Sequence, residues 1–114
     1  MADNAVYTLL DRQNIATESG VAQYGDAVDM LGHSVLRVSV QIHAAGTAGT
    51  IKLQHSAFTD PNSFLDITSA SWNLNSAGVN YLAVTDFLRY VRWVTDTSVA
   101  GSPVVTLQVV AKGH

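Results

Sequence analysis

The sequence predicts an all-β fold, an antiparallel β-sandwich or jelly roll of about eight strands. Three observations lead there. Short stretches alternate apolar and polar residues with a period of two, the signature of strands with one buried face. Clusters of Gly, Asn, Asp and Ser interrupt them roughly every 8–12 residues, the spacing of sandwich and barrel folds. Helical periodicity is nearly absent.

The first element is "AVYTLL" (5–10), which places Val6, Thr8 and Leu10 on one face. Two readings of segment 1–14 stay open: an ordinary first strand, or an N-terminal arm that adds a strand to a neighbour's sheet edge through main-chain hydrogen bonds. A short strand follows within 21–30. The clearest element is "SVLRVSVQIHA" (34–44), with Leu36, Val38, Val40 and Ile42 on one face and Arg37, Ser39, Gln41 and His43 on the other. After "AGTAG" comes "TIKLQHSA" (50–57), with Ile51, Leu53 and His55 on one face. A hairpin across that loop would pair Ile42 with Ile51 and Val40 with Leu53, since a one-residue slip turns every side chain to the wrong face.

Strands "FLDI" (64–67), "SWNL" (71–74) and "GVNYLAVT" (78–85) come next, then "LRYVRWVTDT" (88–97) and "VVTLQVVAK" (104–112). Gly101 and Pro103 stand where the last connection needs a turn. In "LRYVRWV" both faces carry large groups, Tyr90, Arg92 and Val94 against Val91 and Trp93. That strand is expected to be central and covered on both sides, by another part of the fold or by another subunit.

At 114 residues the chain fits one domain, 1–114, of the usual size of about 100–200 residues. Such a chain buries roughly two-thirds of its unfolded surface, enough for a core without staples. No cysteine is present, which removes disulfide frameworks and thiolate metal sites. The start "MADNAVYTLL" has neither the basic head nor the apolar run of a secretory signal, and no apolar run reaches membrane-span length. The expectation is a soluble chain with no membrane contact.

Charged residues make up 13% of the chain, against about 25% in typical soluble domains. Ten Thr, ten Ser, six Asn and five Gln stand in their place. The net charge is -3, with six Lys and Arg spread along the chain, so no phosphate-neutralising footprint for nucleic acid exists. A hydroxyl-rich, weakly charged surface suits packing against copies or partners; it is equally the ordinary composition of β-proteins.

"IKLQHSAFTDPNSFLDI" (51–67) is the stretch that most resembles chemistry, with His55, Asp60 and Asp66 close in sequence. A metal would need three or four such groups converging at about 2.0–2.6 Å, and strand alternation does not bring them together. "TDPNS" reads instead as a turn: Pro61 presets φ, while Asp60 and Asn62 bond their own backbone. No nucleophile elbow, phosphate loop or zinc-binding helix motif occurs, and the sequence predicts no enzyme, no metal and no cofactor. Trp72, Tyr81, Tyr90 and Trp93 leave three readings open: sandwich core, subunit interface, or a stacking platform for sugars.

The ordered set "LRVSVQIHA", "IKLQHS", "FLDIT", "GVNYLAV", "LRYVRWV" and "SPVVTLQVVAKGH" resembles small virion proteins of tailed bacteriophages over about residues 5–112. The turn "AFTDPN" is longer and less glycine-rich than the Asp–Gly turn of that group. The resemblance implies a jelly-roll-like sandwich that serves the virion as an accessory structural protein, most of all as a capsid decoration (cement) protein made in the host cytoplasm. It implies a major capsid protein or another virion structural protein as partner, and a symmetric homo-oligomer such as a trimer. The residues expected to contact partners are Val6, Tyr7, Leu9, Leu10, Trp72, Tyr90, Arg92 and Trp93. The alternatives are a tail or fibre attachment protein and a discoidin-like carbohydrate-binding module for host recognition, because "RYVR" also occurs in such modules.

Overall fold

The structure, a computed structural model, describes residues 4–16 and 21–113. Among the described residues eight strands appear in chain order: β1 (Asn4–Asn14), β2 (Val28–Asp29), β3 (Val35–Ala44), β4 (Thr50–Ser56), β5 (Leu65–Asn73), β6 (Gly78–Val84), β7 (Tyr90–Thr95) and β8 (Val104–Lys112). They form two four-stranded sheets, a first sheet ordered β1-β8-β3-β6 and a second ordered β2-β7-β4-β5. All pairings are antiparallel. β1 pairs with β8, β2 with β7, β3 with β6 and β4 with β5. The chain is thus one long hairpin bent at the β4–β5 turn. Rolling that hairpin up adds the β3–β8 and β4–β7 pairs, which gives the jelly-roll order of two interleaved Greek keys.

Alternation dictates the core. Leu36, Val38, Val40 and Ile42 of β3 and Val105, Leu107, Val109 and Ala111 of β8 are all buried. Across from them lie Ile51 and Leu53 of β4, Val91 and Trp93 of β7, and Ile67, Ala70 and Trp72 of β5. Each fully buried large aliphatic contributes about 1.5–3 kcal/mol relative to exposure.

One sequence expectation is corrected. β3 and β4 do not form a hairpin: β3 pairs with β6 and β8, whereas β4 pairs with β5 and β7. Ile42 and Val40 therefore oppose Ile51 and Leu53 across the core, in the other sheet. Alternation specifies which face is buried; it does not specify which strand lies alongside. The loop between them is tied to the other connections at that end, with Gly46 N–H donating to Leu74 O and Thr47 N–H to Ala100 O. Gly49, at φ +110, sits where a Cβ would lie 2.6 Å from Val99, so this crossing admits only glycine.

"FLDI" and "SWNL" also prove to be one strand, β5. Ser69 adopts φ 66 and the β4–β5 register shifts between Lys52 and Gln54. The two steps from Lys52 to Gln54 oppose five on β5, from Ser71 to Asp66, so this irregularity inserts three residues and breaks the alternation that the eye follows along a sequence.

Candidate interaction surface

The outer faces of the two sheets have different chemistry. On the second sheet, Arg92 is the organising group. Its Nε and Nη2 donate to Gln54 Oε1 at 3.1 and 3.0 Å, and Nη2 donates to Pro61 O at 3.1 Å. Its guanidinium lies 4.3 Å from the Tyr24 ring centre and 4.2 Å from that of Phe64. Arg92 is 8% exposed, and burial lowers its pKa from the ordinary value. Gln54 donates in turn to Asp66, which also bonds Lys52 Nζ at 3.0 Å. Those bonds, Gln54's first and Lys52's second, hold the Asp66 carboxyl below its usual range.

A second ion pair stands on this side. Arg89 grips Asp29 through two bonds of 3.0 and 2.8 Å, and this pairing lowers the Asp29 pKa. Segment 21–25 runs beside β7, with Gly25 N–H donating to Trp93 O and Thr95 N–H to Gln23 O. The expected second cover of the "YVRWV" strand is therefore part of the same chain. Tyr24 and Phe64 supply it, and Arg92 is clamped between them.

Asp60, Asp66 and His55 do not form a site. Asp60 caps the 3-10 turn Pro61–Ser63 by accepting from Asn62 N–H at 2.9 Å. His55 Nδ1 accepts from Leu88 N–H at 3.1 Å, and Asp66 belongs to the ion pair just described. Among the described residues no group of three His, Asp or Glu side chains could hold a metal ion.

The outer face of the first sheet has no such lattice. The registers align its residues in rows across four strands: Val6–Val110–Arg37–Ala83, then Thr8–Gln108–Ser39–Tyr81, then Thr106–Gln41–Val79. Arg37 is the single charge in these rows and has no ion pair among the described residues. Tyr81 is 77% exposed, Val6 62% and Val79 48%. A shallow, mostly apolar hollow opens between Arg37, Ser39, Tyr81, Ala83 and Val110. Local bonds link His43 to Thr106 at 2.7 Å and Gln108 to Thr8 at 3.4 Å. Lys112 adds a second positive charge in the next row, beside Asn4 and Val35, and nothing described in the chain covers the face.

The sequence-predicted contact residues distribute unevenly. Val6 stands on this open face, and Tyr7, Leu9 and Tyr90 are half-buried. Leu10, Trp72, Arg92 and Trp93 lie inside the protomer, so a correction applies to these four: their side chains fill the protein's own core or clamp and are not available to a partner. Of the four aromatics considered as a platform, Tyr81 alone is exposed. Only the sheet order reveals that Tyr81 faces outward beside Ser39.

No family model matches the chain, and no curated protein matches it. Among solved structures, the SPBc2 prophage-derived protein YomS superposes with a TM-score of 0.60 at 14% identity, over 99% of this chain and 96% of that one. A structure of Bacillus endospore appendages, a family of disulfide-linked pili, superposes with a TM-score of 0.53 at 9% identity, over 99% of this chain and 87% of that one. At such identities the likeness establishes a shared fold, a single β-sandwich matched from end to end.

Proposed function

We propose that this chain is a structural protein of a phage particle, a capsid decoration subunit that lies against the capsid surface through the outer face of its first sheet and associates with copies of itself. The observation that carries the reading is that face: four strands wide, with no acidic residue in its rows and with Tyr81, Val6 and Val79 exposed on it. Uncovered apolar patches on a lone protomer mark interaction sites or aggregation hazards, and symmetric assembly resolves the hazard. The end-to-end likeness to a prophage-derived protein supports the virion setting. The major capsid protein is the partner this reading names, a trimer is among the assemblies it allows, and it assigns the chain no catalysis, nucleic acid or membrane.

Co-sedimentation with purified capsids tests the proposal. The native protein binds, and Tyr81→Lys combined with Val79→Lys abolishes binding while the fold is retained. A native protein that never binds particles, or a double variant that binds equally well, would refute it.

A second reading rests on Tyr81 itself. An exposed aromatic ring beside Ser39 and Gln108 on a rigid sheet has the chemistry to stack a neutral sugar and bond its hydroxyls. Trp72, 9% exposed, cannot serve that role. Glycan-array binding lost on Tyr81→Ala, with no capsid binding by the native chain, would favour a carbohydrate-binding module.

A further inference from the structure

The two sheets leave four edges, and among the described residues three are blunted. β1 carries Asp11 and Arg12, holds Arg12 at φ 49, and shifts register twice against β8. β5 has the Ser69 bulge and the charged Asp66. β2 is two residues long. These are the devices by which natural sheets prevent edge-to-edge pairing.

β6 has none of them. "GVNYLAV" contains no charge and no proline. It pairs with β3 in unbroken register from Ile42↔Gly78 to Leu36↔Val84, and its residues 78–81 and 83 are exposed. Alternate residues of β6 turn their N–H and C=O away from β3, so its free side presents a row of main-chain donors and acceptors.

We infer that the β6 edge pairs with β6 of a second copy of this chain, antiparallel about a twofold axis at Tyr81. The sequence selects this occupant. An antiparallel pairing must keep outward residues opposite outward ones, because a slip of one residue opposes the two faces. Centring on Tyr81 satisfies that rule with all seven residues overlapped: Val79 opposes Ala83, Asn80 opposes Leu82, and Tyr81 meets its own copy. No like charges are brought together, and the tyrosine pair adds a cross-strand aromatic contact. The contact is isologous and closes as a dimer. It joins two first sheets into one eight-stranded sheet whose outer face is double the open surface described above. The inference does not depend on the virion reading, since the edge is open whatever the face binds.

The chain has no cysteine, so single-cysteine variants report the seam without background. Opposed residues across antiparallel strands have Cβ atoms about 4.5–5.5 Å apart, close enough for a bridge. Under mild oxidation Tyr81→Cys is expected to give a covalent dimer of doubled mass. Val79→Cys mixed with Ala83→Cys is expected to give the mixed dimer, while neither alone does. Phe58→Cys, 69% exposed and outside β6, is expected to form no covalent dimer and controls for random collision. A Tyr81→Cys chain that links no better than Phe58→Cys overturns the seam, as does a native chain that remains monomeric by mass. Self-linking by Val79→Cys alone, as readily as the mixed pair, overturns the register. Capsid co-sedimentation of Val6→Lys, a substitution on the same face but on β1 away from the seam, reads the face independently, so either proposal can fail while the other stands.

Discussion

The outer faces of the two sheets are built from similar strands but are finished differently. The second sheet's face is closed by its own chain: Arg92 sits between Tyr24 and Phe64, Lys52 and Gln54 engage Asp66, and Arg89 engages Asp29. The first sheet's face is left open, with Tyr81, Val6 and Val79 facing water and Arg37 without an ion pair among the described residues. Polar groups on the closed face have partners whose loss would be felt by the fold. Those on the open face have little to lose within the protomer. The lesson is that stability and recognition are separated onto opposite sides of one sandwich, and mutations can test the separation.

The largest effect is expected at the clamp. Arg92→Ala removes two ring contacts and leaves Gln54 Oε1 and Pro61 O without their donor. Cation–π contacts and buried charged hydrogen bonds of this kind together are worth about 2–4 kcal/mol. Thermal unfolding should fall accordingly, and Arg92→Lys should recover only part, because an ammonium cannot reproduce the planar fork. An unchanged midpoint would mean that the closed face is not held by Arg92.

Next comes Gly25→Ala. A Cβ there would collide with the indole of Trp93, and Trp93 is packed in the core. Overpacking of this sort costs about 1–3 kcal/mol, read in the same unfolding experiment. A tolerated alanine would show that segment 21–25 is not seated on β7 as described.

On the open face the expectation inverts. Tyr81→Ser and Arg37→Ala should change stability within about 0.5 kcal/mol, as exposed substitutions do, yet weaken capsid binding. Equal destabilisation by Tyr81→Ser and Arg92→Ala would erase the comparison.

The smallest effect is that of acid. Asp66 and Asp29 have pKa values lowered from 3.8. A carboxyl lowered in the folded state adds stability above its unfolded value, and that stability is lost as pH falls through the folded value. Chemical denaturation repeated below about pH 4 should show a slight loss, reduced in Asp66→Asn, since solvent screens exposed ion pairs. A gain in stability on acidification would contradict the sign.

Much of the fold is legible in the sequence because burial follows parity. β3 and β8 alternate cleanly, and Leu36 to Ile42 and Val105 to Ala111 fall inside as their spacing predicts. The double-sided character of "YVRWV" likewise announces a covered central strand. Strand partnership is not legible in the same way, since β3 and β4 are adjacent in sequence and belong to opposite sheets. The Ser69 bulge hides the continuity of β5, because a positive φ at serine leaves no compositional trace. The candidate surface was the hardest part to read. Its rows draw residues from positions 6, 37, 81 and 110, and only the β1-β8-β3-β6 order sets them side by side. Residue type alone favoured the tryptophans, which the core takes.

The central claim is that partners meet the open face and leave the closed face alone. Tyr81 and Tyr24 are both exposed, at 77% and 54%, one on each side, so tyrosine-specific surface labelling with and without purified capsids compares them within one molecule. The account predicts that capsids protect Tyr81 and leave Tyr24 as reactive as in the free protein. Protection of Tyr24 with Tyr81 unchanged would contradict it.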